Sequence, residues 1–264
     1  MRLANKIILI TGGYTGIGKA IAQKAVKEGA KVLVNGLDEH LGIDLVETLG
    51  AKNVTIFTID ITKEEAPKRL IESVIQKFGK LDCIVNNAAQ IVSSTIQNTD
   101  SEFLIDILKT NTVAPLAIIR EALPYLEKSK GCVLNIGSIN AWGGEPDLLA
   151  YSISKGALMT LTRNLGDSLF RENGVRVNQI NPGWVLTENE QNKKKKEGMK
   201  DDWYKDIPAI FAPAKRLFSP EEIAAAATFL LSDECGPVSA QVLDLEQFPL
   251  LGRNLPKSWE GSHN

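Results

Sequence analysis

Tyr151, Ser154, Lys155 and Leu158 fall at i, i+3, i+4 and i+7 in the run LLAYSISKGALMTLTRNL, the spacing of one helical face. The face continues through Leu161 and Leu165, so it points toward a core. A phenol and an ammonium group on a stripe meant for burial need partners inside, because unpaired buried charge is costly. Each also has an ordinary reading: a buried tyrosine with a satisfied hydroxyl, and a lysine that snorkels to the surface.

A second cluster lies near the N-terminus, where TGGYTGIGKAIA follows the first apolar run. Gly12, Gly16 and Gly18 have the spacing GxxxGxG and lead straight into helix-type sequence. Glycines at a strand–turn–helix junction allow a tight turn and let backbone N–H groups approach a pyrophosphate at the helix N-terminus. Dinucleotide binding is favoured over a purely structural turn. The second apolar run ends in Gly36 and Leu37, with Asp38 next, and Thr15 precedes Gly16. No basic residue stands at that strand end to meet a 2′-phosphate, so NAD is expected, with NADP as the alternative.

The elements that must position these residues follow a regular rhythm. Short apolar runs at 6–11, 31–35, 53–60, 82–87, 131–138, 174–182 and 241–245 alternate with amphipathic segments at 18–29, 40–50, 66–79, 101–128 and from Tyr151 onward. Apolar runs alternating with helices imply a parallel sheet buried on both faces, an α/β fold of three layers (α/β/α), Rossmann-type and doubly wound, with about seven strands. No linker or repeat divides residues 1–264, so one domain is expected. The stretch 188–215 breaks the rhythm: it is polar, weakly periodic and contains Lys193–Lys196. It reads as a structureless insert, its lysine run a solvated patch or else a lid that meets an anionic substrate.

The chain has 264 residues, 44% hydrophobic and 23% charged, with a formal net charge of −2. That balance gives no electrostatic reason to expect nucleic acid. Cys83, Cys132 and Cys235 form no CxxC pair, so neither zinc nor any other metal is expected, and buried free thiols in a reducing cytoplasm are the better reading. The apolar run after MRLANK is too short for a signal peptide or a membrane span.

TGGYTGIG, NNAA at 86–89, Asn111, Ser138, YSISK and NPGWVLT at 181–187 occur together in order, with Ser138 thirteen residues before Tyr151. In this the chain resembles the short-chain dehydrogenase/reductase family over roughly residues 5–245. The resemblance implies Tyr151 as general acid/base, a role that needs help because a free phenol has a pKa of about 10. It implies that Lys155 favours the phenolate and bonds the nicotinamide ribose, Ser138 steadies the substrate oxygen, and Asn111 holds a water behind the lysine. By the same mapping Gly12, Thr15, Gly16, Ile17 and Gly18 would hold the pyrophosphate, and Leu37, Asp60 and Ile61 the adenosine. Asn87, Ala88 and Ala89 would line the cleft, with Ala89 where the family usually has glycine. Pro182, Gly183, Val185 and Thr187 would bracket the nicotinamide.

Substrate contacts are expected from the lid and from INAWGGEPDLLA, with Ser138, Asn140, Trp142 and Tyr151 foremost and Glu145 and Asp147 nearby. That mix suits a small sugar or polyol. The implied activity is NAD(P)-dependent interconversion of a secondary alcohol and a carbonyl. Three other readings stay open: a silent cofactor-binding regulator, a 3-oxoacyl-type reductase, and an epimerase or dehydratase using the same pair. The C-terminus departs from the family: Phe218 stands where glycine is common, and a glycine pair is replaced around Glu246 and Gln247. The tail 246–264 is either an irregular surface segment or docks Phe248, Leu250, Leu251 and Arg253 on a neighbouring subunit. The family implies a homodimer or homotetramer, and the protein is expected in the cytoplasm.

Overall fold

The computed structural model describes residues 1–250. β1 (Ile7–Ile10), β2 (Lys31–Gly36), β3 (Val54–Thr58), β4 (Cys83–Asn86), β5 (Cys132–Ile136), β6 (Arg176–Pro182) and β7 (Val242–Leu245) form one sheet in the order β3-β2-β1-β4-β5-β6-β7. Every pairing is parallel. All of β1, β4, β5 and β6 is buried; β1 accordingly reads as an unbroken apolar run, whereas β6 buries Arg176, Asn178, Gln179 and Asn181 among its apolar residues.

Alternate strand residues feed two cores. Ile8, Ile10, Val32 and Val34 face α1 (Gly16–Lys27), α2 (Glu39–Leu49) and α9 (Pro220–Leu231). Ile7, Leu9 and Leu33 face α3 (Ala66–Phe78), α5 (Ala114–Ser129) and α7 (Leu149–Asn173). The order turns back between β1 and β4, the position at which such sheets leave a crevice at the strand C-termini.

Three segments differ from the sequence expectation. The stretch 101–128 is not one helix: α4 (Ser101–Leu108) and α5 are separated by a π turn, Lys109–Val113. The extra residue in that turn carries Asn111 inward, and apolar periodicity is blind to one wide turn. The stretch 188–215 is not structureless. It forms α8 (Glu188–Lys196), capped by the Thr187 side chain, with Glu188 and Glu190 in its first turn and the lysine run in its last. Such a helix is favoured by its ends and the macrodipole, not by an apolar stripe. Beyond it Trp203, Ile207, Ala212 and Leu217 make a small core of their own. On α7, Leu158 is buried but Leu161 and Leu165 are only half-buried, and Thr162, Gly166 and Leu169 carry the inner face. A Cβ at Gly166 would stand 2.5 Å from Ala240 Cα, so the helix lies directly on the backbone leading into β7.

A line of buried polar side chains crosses beneath the strand ends. Asn86 Nδ2 donates to Asn135 Oδ1 (2.8 Å), Asn135 Nδ2 to Thr162 Oγ1 (2.8 Å), and Thr162 Oγ1 to Gln179 Oε1 (2.7 Å). Gln179 Nε2 donates to Asn181 Oδ1 (2.7 Å), and Asn181 Nδ2 to the Asp244 carboxylate (2.9 Å).

Candidate active site

One cleft of about 1100 Å³ opens at the C-terminal ends of the central strands. Its floor is the glycine turn after β1. Gly12 (φ 61°) and Gly16 (φ 52°) are in the left-handed region that glycine tolerates. A Cβ at Gly12 would stand 2.6 Å from Ala88 Cα, and one at Gly18 2.5 Å from Asn87 Nδ2. Asn87 Nδ2 donates to the Thr11 and Gly12 carbonyls (3.1 and 2.8 Å), pinning the turn against the end of β4. Thr15 precedes α1 without a side-chain cap, and no acid occupies the first helical turn. The helix therefore presents uncapped N–H groups and its positive end to the cleft, which fits the pyrophosphate of a dinucleotide. Gly12, Thr15, Gly16 and Ile17 line the cleft, whereas Gly18 stands behind them.

At one end Leu37, Asp60 and Ile61 form the wall with Asn35 and Gly36. Asp60 Oδ1 accepts from the Thr62 N–H (2.9 Å) and hydroxyl (2.7 Å), and the backbone bond foremost holds its carboxyl below the ordinary value. Asp38, the acid beside Leu37, is spent on capping α2, where it accepts from His40 N at 3.0 Å. Gly36 is glycine because the Tyr14 ring occupies the space of its Cβ, with the Tyr14 hydroxyl bonded to Thr58 Oγ1 at 3.2 Å.

At the other end α7 brings Tyr151 and Lys155 to the cleft, and the end of β5 brings Ser138. Ser138 N donates to Asn181 Oδ1 (3.1 Å), and Ser138 Oγ accepts from Asn140 N (3.2 Å). Burial pushes the Tyr151 phenol up to about 12, against a hydrogen bond with Ser138 that lowers it. Burial pulls Lys155 down to about 7. Lys155 Nζ donates to Ile136 O at 2.7 Å and stands 5.5 Å from the Tyr151 ring centre. Asn111 does not line the cleft. Its Nδ2 donates to Gln90 O (2.9 Å) and Ser154 Oγ (2.9 Å), and its Oδ1 accepts from Gln90 N (2.8 Å). Both side-chain donors are spent on the protein, and the side chain ties the π turn to α7.

Ala88, Ala89, Pro182, Gly183, Val185 and Thr187 all line the cleft, as do Asn87 and Asn140. Trp142, on the short helix α6 (Asn140–Gly143), does not line the cleft. Its indole donates to Asp244 (3.0 Å) and lies under Arg163, outside the cleft wall. The aromatic surface comes instead from Trp184, which stacks on Trp203 with ring centres 5.3 Å apart and donates to Glu190 Oε1 at 3.0 Å. Trp184 stands inside NPGWVLT, a motif read above only for cofactor contacts. Lys193 and Lys194 also reach the wall, but both pair with Glu197 (3.9 and 2.8 Å), and Lys195 pairs with Asp201 (3.0 Å).

Residues 12–246 match a family model described as enoyl-(acyl carrier protein) reductase, a branch of the short-chain enzymes. The chain belongs to the short-chain dehydrogenase/reductase family. This dehydrogenase/reductase is 33% identical to glucose and ribitol dehydrogenase of Daucus carota, over 92% of its own length and 84% of the relative's. It is 34% identical to glucose 1-dehydrogenase 2 of Bacillus subtilis (strain 168), over 91% and 93%. Among solved structures it superposes on L-sorbose reductase from Gluconobacter frateurii, complexed with NADPH and L-sorbose, with TM-score 0.87 and 27% identity, covering 95% of this chain and 99% of that one. The short-chain enzyme described here is an NAD(P)-dependent oxidoreductase. At its departures from the family, Phe218 pairs with Val185 in a short bridge, its backbone bonded to Trp184 and Leu186, so the main chain at 218 braces the segment that forms the cleft wall. Phe248 lines the cleft of its own chain, and Leu251 and Arg253 lie outside the described residues.

Proposed function

We propose that the protein interconverts a secondary alcohol and a ketone on a small neutral sugar or polyol, with NAD as the preferred cofactor. The observation that carries this reading is the convergence of Tyr151, Lys155 and Ser138 on one wall of a cleft whose opposite end fits a dinucleotide. The bound nicotinamide supplies or accepts the hydride. The chain manages the proton: Ser138 Oγ holds the substrate oxygen, and the Tyr151 hydroxyl gives or takes its proton. Lys155, as an ammonium, favours the phenolate form of Tyr151 by proximity. Asn111 acts through others, fixing Ser154 and Gln90 so that α7 keeps its phase against the cleft. Trp184 offers an aromatic face, and Asn140 and Glu145 offer polar groups, a mixture suited to a hydroxylated ring or chain.

NAD is favoured because Leu37 stands where a cation would greet a 2′-phosphate. The paired lysines of α8 weaken the acyl-carrier alternative, since their charge is largely answered within the chain. The free, buried thiols of Cys83, Cys132 and Cys235 accord with a cytoplasmic protein. Exposed Ile105, Val113, Leu116 and Ile153 on α4, the π turn, α5 and α7 support assembly as a dimer or tetramer, which light scattering would report. The deciding experiment is a screen of polyols and sugars with NAD and NADP, followed at the reduced-nicotinamide absorbance. Tight dinucleotide binding with no turnover of any alcohol or ketone would replace this reading with that of a silent regulator.

A further inference from the structure

Asp244 on β7 is in register with Asn181 on β6, so the two side chains leave the same face of the sheet side by side. Asn181 Nδ2 donates to Asp244 Oδ1 at 2.9 Å, and Asn181 Oδ1 accepts the N–H of Ser138 at 3.1 Å. The amide lies directly against the backbone that leads into Ser138: a Cβ at Gly137 would collide with Asn181 Oδ1 and Gln179 Nε2. A second route reaches Ser138 from its other side. Asn140 N, at the start of α6, donates to Ser138 Oγ at 3.2 Å. Trp142 on the same helix donates its indole N–H to Asp244 Oδ1 (3.0 Å) and Oδ2 (3.1 Å). None of the four residues of α6 is buried, so no side chain sunk in the core anchors the helix, and the indole bond tethers it to β7. Arg163 of α7 lies over the same ring, 5.0 Å from its centre.

The backbone entering Ser138 is thus set by Asn181, the donor to its hydroxyl is set by α6, and both arms end on one carboxylate. Asp244 itself does not line the cleft. An ionised carboxylate accepts from both donors at once, whereas a side chain without oxygen would release both arms together. We propose that Asp244 is a positioning residue for Ser138, which fixes from outside the cleft the angle at which Ser138 Oγ meets the substrate oxygen. The proposal rests on the oxidoreductase reading above and adds the residue that sets Ser138 in place.

The test is a kinetic double-mutant cycle on the full-length enzyme, with D-glucose, ribitol and D-glucitol as substrates and NAD as acceptor. NADH Kd, by reduced-nicotinamide fluorescence, and melting temperature are measured for every variant. Asp244→Ala should lower kcat about tenfold, the effect of a small misplacement of a group that meets the substrate, with NADH Kd unchanged. Asp244→Asn, which keeps an oxygen for both donors, should recover kcat to within about threefold of the unaltered enzyme. Trp142→Phe, which frees one arm and keeps an aromatic ring, should fall between the two, and it carries the same cycle if Asp244→Ala does not fold. In a Ser138→Ala background Asp244→Ala should lower kcat by less than about twofold, because the hydroxyl it sets is gone. An unaltered kcat in Asp244→Ala overturns the proposal, as does an Asp244→Asn variant no faster than Asp244→Ala. A full loss that recurs in the Ser138→Ala background also overturns it, by showing that the carboxylate supports the domain in general. In each of those cases the oxidoreductase reading survives. Dinucleotide binding without turnover of any alcohol or ketone overturns both.

Discussion

Tyr151 and Lys155 sit in an environment that favours their neutral forms, with the phenol up to about 12 and the amine down to about 7, both by burial. The pair is therefore costly to hold, and the cost has a pH signature. Unfolded Lys155 is protonated below 10.5, but folded Lys155 only below about 7, so its burial penalty is full at pH 7 and below and fades as pH rises toward 10. Lys155→Met should raise the melting temperature of the cofactor-free protein most below pH 7, with the gain shrinking steadily up to pH 10 in a calorimetric series. Tyr151→Phe should lower kcat by about 10²-fold or more while leaving cofactor Kd nearly intact, as steady-state kinetics and fluorescence titration would show. These positions were legible in sequence because the helical stripe made a lysine on a buried face conspicuous. Trp142 lies apart from the cleft because a short exposed helix does not say in sequence which way an indole turns, and in the structure the Asp244 carboxylate captures it. Asn111 was placed by motif, but its partners, Gln90 and Ser154, depend on a turn that periodicity does not report.

The strands and α1, α2, α3 and α7 were legible from short apolar runs alternating with amphipathic segments, most plainly where a strand is buried along its whole length, as in β1, β4 and β5. The π turn and α8 were not. One is a local widening between two helices, and the other is a polar helix held by Thr187 and opposed charges at its ends. The π turn carries a measurable consequence: Asn111→Ala leaves Gln90 and Ser154 short of partners and should cost about 1–3 kcal/mol in denaturant unfolding. A tighter test concerns the join of β2 and the glycine turn. Gly36→Ala drives a methyl into the Tyr14 ring and should destabilise by about 1–3 kcal/mol. In the Tyr14→Ala background the same change should cost less, and a double-mutant cycle of unfolding free energies measures the coupling.

For the molecule as a whole, one cleft runs from the glycine turn after β1 to Tyr151 and Ser138, so a ligand bound at one end should stabilise the entire domain. A larger thermal shift with NADH than with equal NADPH is expected, and Leu37→Arg should reverse the order, since a guanidinium at that strand end can pair a 2′-phosphate. The polar line from Asn86 to Asp244 is also a property of the whole fold. An ionised carboxylate only accepts, so Asp244 compels Asn181 to turn its amino group outward and its oxygen inward. That oxygen then takes both Gln179 Nε2 and the N–H of Ser138, and each earlier partner must face the same way in turn. The interior thus has a sense of direction set on both sides of Asn181: an acid on the outermost strand and a backbone N–H beside the cleft agree on how this amide, and each one before it, is oriented. A chain of amides that could run either way is thereby polarised from the edge of the sheet to its centre, and an Asp244→Asn exchange, identical in shape, would leave that direction to the N–H of Ser138 alone.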